Sequence, residues 1–119
     1  MIERIKAEGT MSANYSRDGK PSGQIRCADG FKMSVQAGVG TYCTPRPEWF
    51  GSASPGRDYP GPYTAAEVGF PSERPEPWDR WEEFCEFPES PTDTVYSCVP
   101  FTVIESLIEL HGGEVTTND

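Results

Sequence analysis

Residues 24–38 read QIRCADGFKMSVQAG. Ile25 and Cys27 flank the polar Arg26, and Phe31, Met33 and Val35 alternate with Lys32, Ser34 and Gln36. Successive side chains of a strand point to opposite faces, so this period of two predicts strands with one apolar face. Asp29-Gly30 lies between the two runs as a two-residue turn signal, because such turns require positive φ and Gly adopts it without steric penalty. The stretch is expected to form a β-hairpin turning at Asp29-Gly30, with Gly38 and Gly40 ending the pattern.

A second stretch, PFTVIESLIELHGG at 100–113, has a different period. Phe101, Ile104, Leu107, Ile108 and His111 fall on one face of a helix, and Thr102, Glu105, Ser106 and Glu109 on the other. Pro100 suits the first helical position and Gly112 the position just past the end. This predicts an amphipathic helix over about 100–111. TAAEVGF at 64–70 and DTVYSCV at 93–99 read as short strands. The fold class is therefore α+β: a small antiparallel β-sheet, one C-terminal amphipathic helix and long Pro/Gly-rich loops. Twelve prolines and twelve glycines in 119 residues agree with that loop content. A single domain is expected over 24–113. Residues 1–23 read as a weakly ordered N-terminal arm and 114–119 as a flexible tail.

Between these elements lie two irregular stretches. YCTPRPEWFGSASPGRDYPGPY at 42–63 carries five prolines, and a loop of this length in a small domain is commonly functional or disordered. It places Arg46 and Arg57 among Tyr42, Trp49, Phe50, Tyr59 and Tyr63. That mixture suits a partner-binding or self-packed loop better than a base-stacking one. In PSERPEPWDRWEEFCEFPESP at 71–91, Trp78, Trp81 and Cys85 fall at i, i+3 and i+7, the spacing of a short helix between Pro77 and Pro88.

Several function classes are disfavoured. The single histidine, His111, stands at a helix end where it complements the terminal carbonyls, so a Cys–His or Ser–His–Asp site has no natural base. Cys27, Cys43, Cys85 and Cys98 contain no C-x₂-C pair, so they are expected to be reduced, mostly buried and free of metal. "GVG" at 38–40 is not a phosphate-binding loop. No cofactor is expected, and no enzymatic activity. No apolar run approaches the ~18 residues of a membrane span. MIERIKAEGT at the N-terminus has no apolar signal core. The expected location is the cytoplasm.

Charge is the most informative pattern. The net charge is −9. Residues 1–80 hold all ten Lys and Arg and ten acids, whereas 81–119 hold nine acids and neither Lys nor Arg. Direct nucleic-acid binding is disfavoured, since it relies on neutralising phosphates. An acidic segment is usually a solvated face that aids solubility. Here it also interleaves acids with Trp78, Trp81, Phe84 and Phe87, and aromatics anchor interfaces. The candidate partner-binding residues are Trp78, Trp81, Glu82, Glu83, Glu86, Glu89 and Asp93, facing a basic surface of another protein.

FKMSVQAGVGTYCTPR at 31–46, GPYTAAEVGFPS at 61–72 and PTDTVYSCVPFTVIESLIELHGG at 91–113 together resemble a family of small accessory proteins encoded by bacteriophages and prophages. The resemblance covers about half the chain and carries no active-site residues. It implies action in the cytoplasm of a bacterial host cell, and by class an inhibitor of host defence of the anti-CRISPR type. The partner would be the basic surface of a host protein complex such as a CRISPR effector subunit. The alternative is a small phage structural, assembly or housekeeping protein whose acidity serves only solubility.

Overall fold

The computed structural model describes residues 1–48 and 54–115. The elements run α1 (Ile2–Glu8), a 3₁₀ turn (Ala13–Tyr15), β1 (Gln24–Arg26), β2 (Lys32–Gln36), β3 (Ala65–Gly69), α2 (Trp78–Trp81), a second 3₁₀ turn (Glu82–Phe84), β4 (Val95–Pro100) and α3 (Phe101–Leu110). The four strands form an antiparallel sheet in the order β1-β2-β3-β4. The α+β class read from the sequence is the class observed.

The hairpin forms with Ile25 opposite Met33 and Arg26 opposite Lys32. Its loop is one residue longer than the turn dipeptide implies. The Cys27 amide donates to the Phe31 carbonyl, and the Gly30 amide donates to the Cys27 carbonyl. Ala28, Asp29 and Gly30 therefore make a three-residue connection with Gly30 at φ 97°. Gly38, read as a pattern breaker, has a packing reason. At φ 118° any Cβ would collide with the Met11 carbonyl.

β4 runs into α3 without a linker. Pro100 ends the strand and caps the helix, so the helix begins one residue later than the sequence suggests. The orphan N–H of Phe101 donates to the Thr64 carbonyl at 3.0 Å. Phe101, Ile104, Leu107 and Ile108 are buried, joined by Val103, while Thr102, Ser106 and Glu109 are exposed. At the other end the Gly112 amide bonds the Glu109 carbonyl and the Gly113 amide bonds that of Ile108. With Gly112 at φ 91° this is a Schellman motif.

The first 23 residues are not a loose arm. α1 inserts Ile5, fully buried, into the core shared by Phe31, Val35, Tyr63 and Val68. The chain is then tied down by backbone bonds from Thr10 and Met11 to the Ala37 carbonyl and from Tyr63 to that of Lys6. Two isoleucines among charged neighbours gave no helical stripe to read, and the partners of these bonds lie far along the chain. The compact unit therefore includes residues 1–23. Glu114 is also held: its carboxylate accepts the Ile2 amide at 2.9 Å and pairs with the Met1 amine at 3.0 Å. The Val115 amide donates to Arg26. The rest of the expected tail, 116–119, lies outside the described residues.

Two truncations test this packing. Leu107→Ala in α3 and Ile5→Ala in α1 should each lower stability by about 2–4 kcal/mol, read from the denaturant unfolding midpoint. An unchanged midpoint for Ile5→Ala would mean that α1 is not part of the folded core.

Candidate acidic interface

The segment 78–94 is fastened to the open edge of β4. Cys85 pairs with Tyr96 as an isolated antiparallel bridge, and the Glu86 amide donates to the Val95 carbonyl at 3.1 Å. This covers an edge that would otherwise present unpaired backbone groups. Tyr96 is the hub of the attachment. The Trp78 and Trp81 rings meet it edge-to-face at centroid distances of 6.4 and 5.6 Å, and its hydroxyl donates to the Pro91 carbonyl at 2.5 Å.

This arrangement separates residues that the sequence placed together. Trp81 is 1% exposed. Trp78 is half-buried, with the Arg74 guanidinium 5.3 Å above its ring. Both tryptophan rings pack against Tyr96 and fasten the segment to the sheet, and Trp81, being buried, has no free face for a partner. Their i, i+3 spacing spans only the single turn of α2, which continues as a 3₁₀ turn. By contrast, Glu82, Glu83, Glu86, Glu89 and Asp93 are all exposed. None of the five is in an ion pair among the described residues.

Two further aromatics are exposed: Phe87, already read among the acids, and Phe70, which the sequence reading places inside the strand candidate 64–70. Phe87 is 52% exposed and Phe70 60% exposed. In strict alternation Phe70 would share an inward face with Ala66 and Val68. It instead sits just past β3 at φ 48°, which turns it away from the core face. Nothing in its neighbours Gly69 and Pro71 signals that reversal. Both phenylalanine amides are held by Thr94, itself buried: Phe70 by the carbonyl at 3.0 Å, Phe87 by the hydroxyl at 3.2 Å.

The long loop is partly self-packed. Tyr63 is buried, and Tyr59 meets it edge-to-face at 5.3 Å. Tyr42 remains exposed beneath the Arg46 guanidinium, 5.1 Å from its ring. Trp49 and Phe50 lie outside the described residues. Of the four cysteines, Cys27 and Cys43 are buried and burial pushes both thiols up, away from the thiolate that would make a nucleophile. Cys85 is half-buried. Cys98 is exposed, against the expectation of mostly buried cysteines. It occupies an irregularity where β4 carries one more residue than β3, with φ 51°. Among the described residues no three His, Cys, Asp or Glu side chains converge as metal ligands.

His111 does more than complement the helix end. Its ring stacks on Phe31 at 4.1 Å and 8°, and its Nδ1 lies 2.7 Å from Asp29 Oδ2. The Asp29 amide also donates to the His111 carbonyl and that of Ala28 to Gly113. The hairpin turn is thereby clasped to the end of α3. The hydrogen bond from His111, with that of the Phe31 amide, holds the Asp29 carboxyl below its ordinary value.

Comparisons with protein-family models, with curated proteins and with solved structures each find no match. No helix among the described residues is long and apolar enough to cross a membrane.

Two outcomes are expected. Trp81→Ala should lower stability by about 3–5 kcal/mol, as for a large core side chain, whereas Phe87→Ser should leave the unfolding midpoint nearly unchanged. The second concerns pH. A carboxyl whose folded pKa is lowered contributes stability above its unfolded value, and that contribution is lost as pH falls through the folded value. Asp29→Asn should therefore be less stable than wild type at neutral pH. The difference should shrink as the pH drops below the ordinary value of 3.8. Chemical unfolding at a series of pH values measures it; a gap that persists at the most acidic pH would mean that the clasp does not depend on the Asp29 charge.

Proposed function

We propose that the protein is a phage-encoded inhibitor that binds a bacterial nucleic-acid-handling defence complex, such as a CRISPR effector, and blocks its basic nucleic-acid-binding surface. The attribution to phage, and to the cytoplasm of a bacterial host, rests on the resemblance of residues 31–46, 61–72 and 91–113. The mechanism rests on one observation: Glu82, Glu83, Glu86, Glu89 and Asp93 form an exposed ridge with no ion pair among the described residues.

A surface that binds nucleic acid gathers Lys and Arg to neutralise phosphates and release their counterions. A protein ridge with several unpaired carboxylates meets the same cations. Internal ion pairs would have cancelled that field, and here the ridge has none among the described residues. The backbone that carries these carboxylates is fastened to the sheet edge before binding, which reduces the ordering entropy lost on association. The contact requires no catalytic group: binding alone displaces the nucleic acid by competition.

The test uses a purified CRISPR effector complex and its fluorescent target DNA. Wild-type protein should displace the DNA, and its affinity should fall as salt rises, because exposed charges are screened over ~8 Å at physiological salt. Reversing Glu82, Glu83, Glu86 and Glu89 to Lys should slow association by about tenfold or more at low salt, with the circular dichroism spectrum intact. If the reversed protein associates as fast as wild type, the ridge is only a solubilising surface.

A further inference from the structure

We propose that Phe70 and Phe87 form a paired apolar anchor within the acidic ridge, built to enter an apolar pocket bordered by Lys and Arg on a protein partner. The inference rests on the reading of the ridge as an interface and specifies the chemistry of what it meets.

The first observation is the pairing. The two residues come from separate parts of the chain, yet both amides are fixed to the buried Thr94. The backbones that carry two exposed phenylalanines are thus held by one buried residue. The second is conformational. Phe70 has φ 48°, a region that bulky residues seldom occupy and that Gly or Asn adopts at much lower energy. A phenylalanine there is both strained and solvated, and gains little burial in return. Residues held in such sparsely populated conformations cluster at ligand clamps and switch regions.

The third observation selects the partner. Glu86 precedes Phe87, Glu89 follows it closely, and Asp93 adjoins Thr94; all are exposed. An apolar centre with a charged rim is the usual anatomy of an interface. A second copy would bring the same acids face to face, and phosphate-rich nucleic acid or an anionic membrane would be repelled. A basic protein surface satisfies both the rings and the rim. Unlike a phosphate backbone, it also offers apolar side chains between its cations.

The experiment compares two peptide probes of equal charge, an oligolysine and a peptide in which leucines are interspersed among the lysines. Binding is followed by fluorescence anisotropy. Wild type should bind the leucine-containing peptide at least about tenfold more tightly than oligolysine. A Phe70→Asn/Phe87→Ser double variant should bind both peptides at the oligolysine level, with an unfolding midpoint equal to or above that of wild type because the strain at residue 70 is relieved. A wild type without the preference, or a double variant that keeps it, overturns the anchor. So does a lowered midpoint, which would make the rings structural. Wild-type dimerisation that the double variant abolishes would make a second copy the occupant and also overturn it. The ridge has its own readout: oligolysine binding must weaken when Glu82, Glu83, Glu86 and Glu89 are reversed to Lys. If it does not weaken while the leucine preference stands, the ridge reading fails and the anchor survives.

Discussion

The direct passage from β4 into α3 at Pro100 constrains the rest of the molecule. A strand that becomes a helix without a linker leaves the helix little choice of position. It must fold back over the sheet, and its apolar stripe then closes the core against β2, β3 and β4. Pro100 supplies a fixed φ and needs no hydrogen-bond partner of its own. The first free amide of the helix, at Phe101, is satisfied by Thr64, at the start of β3. Because that junction satisfies the backbone and sets the direction together, small errors there would displace both layers.

The far end of α3 is secured by a different device. The Schellman turn at Gly112 presents carbonyls to the hairpin turn, which answers with the amides of Ala28 and Asp29. His111 stacks on Phe31 and bonds Asp29, joining the helix end to the connection between β1 and β2. Glu114 then reaches α1. Hairpin, helix and N-terminal turn are thereby tied to one another by few groups. A small domain rich in Pro and Gly buries limited apolar area, so such polar ties matter more than they would in a larger core.

The acidic segment illustrates how one stretch of chain divides its labour. Trp81, Trp78 and Cys85 face the sheet around Tyr96, while the carboxylates face outward. Packing of the tryptophans on Tyr96 is what fixes the backbone that carries the carboxylates. A loop without them would carry the same charge but spread it over many conformations, and a competitor for a basic groove would then lose affinity to ordering.

The hairpin at 24–36, the face of α3 and the concentration of acid beyond residue 80 were legible in the sequence because each is a local pattern: a period of two, a period near 3.6 and a count of charges. Such patterns survive without knowledge of distant neighbours. What the tertiary structure alone decided are the features that depend on distant partners. Ile5 is core only because the 35–37 and 63 regions accept α1, and Trp81 is buried only because Tyr96 lies beneath it. Phe70 left the face that its alternation assigns because its backbone is held at φ 48°, with its amide bonded to the Thr94 carbonyl. The candidate interface was therefore half visible. Its carboxylates follow from composition, since charge stays in water wherever the chain goes. Its aromatic members do not, since whether a ring lies in the core or at the surface depends on what the rest of the fold packs against it.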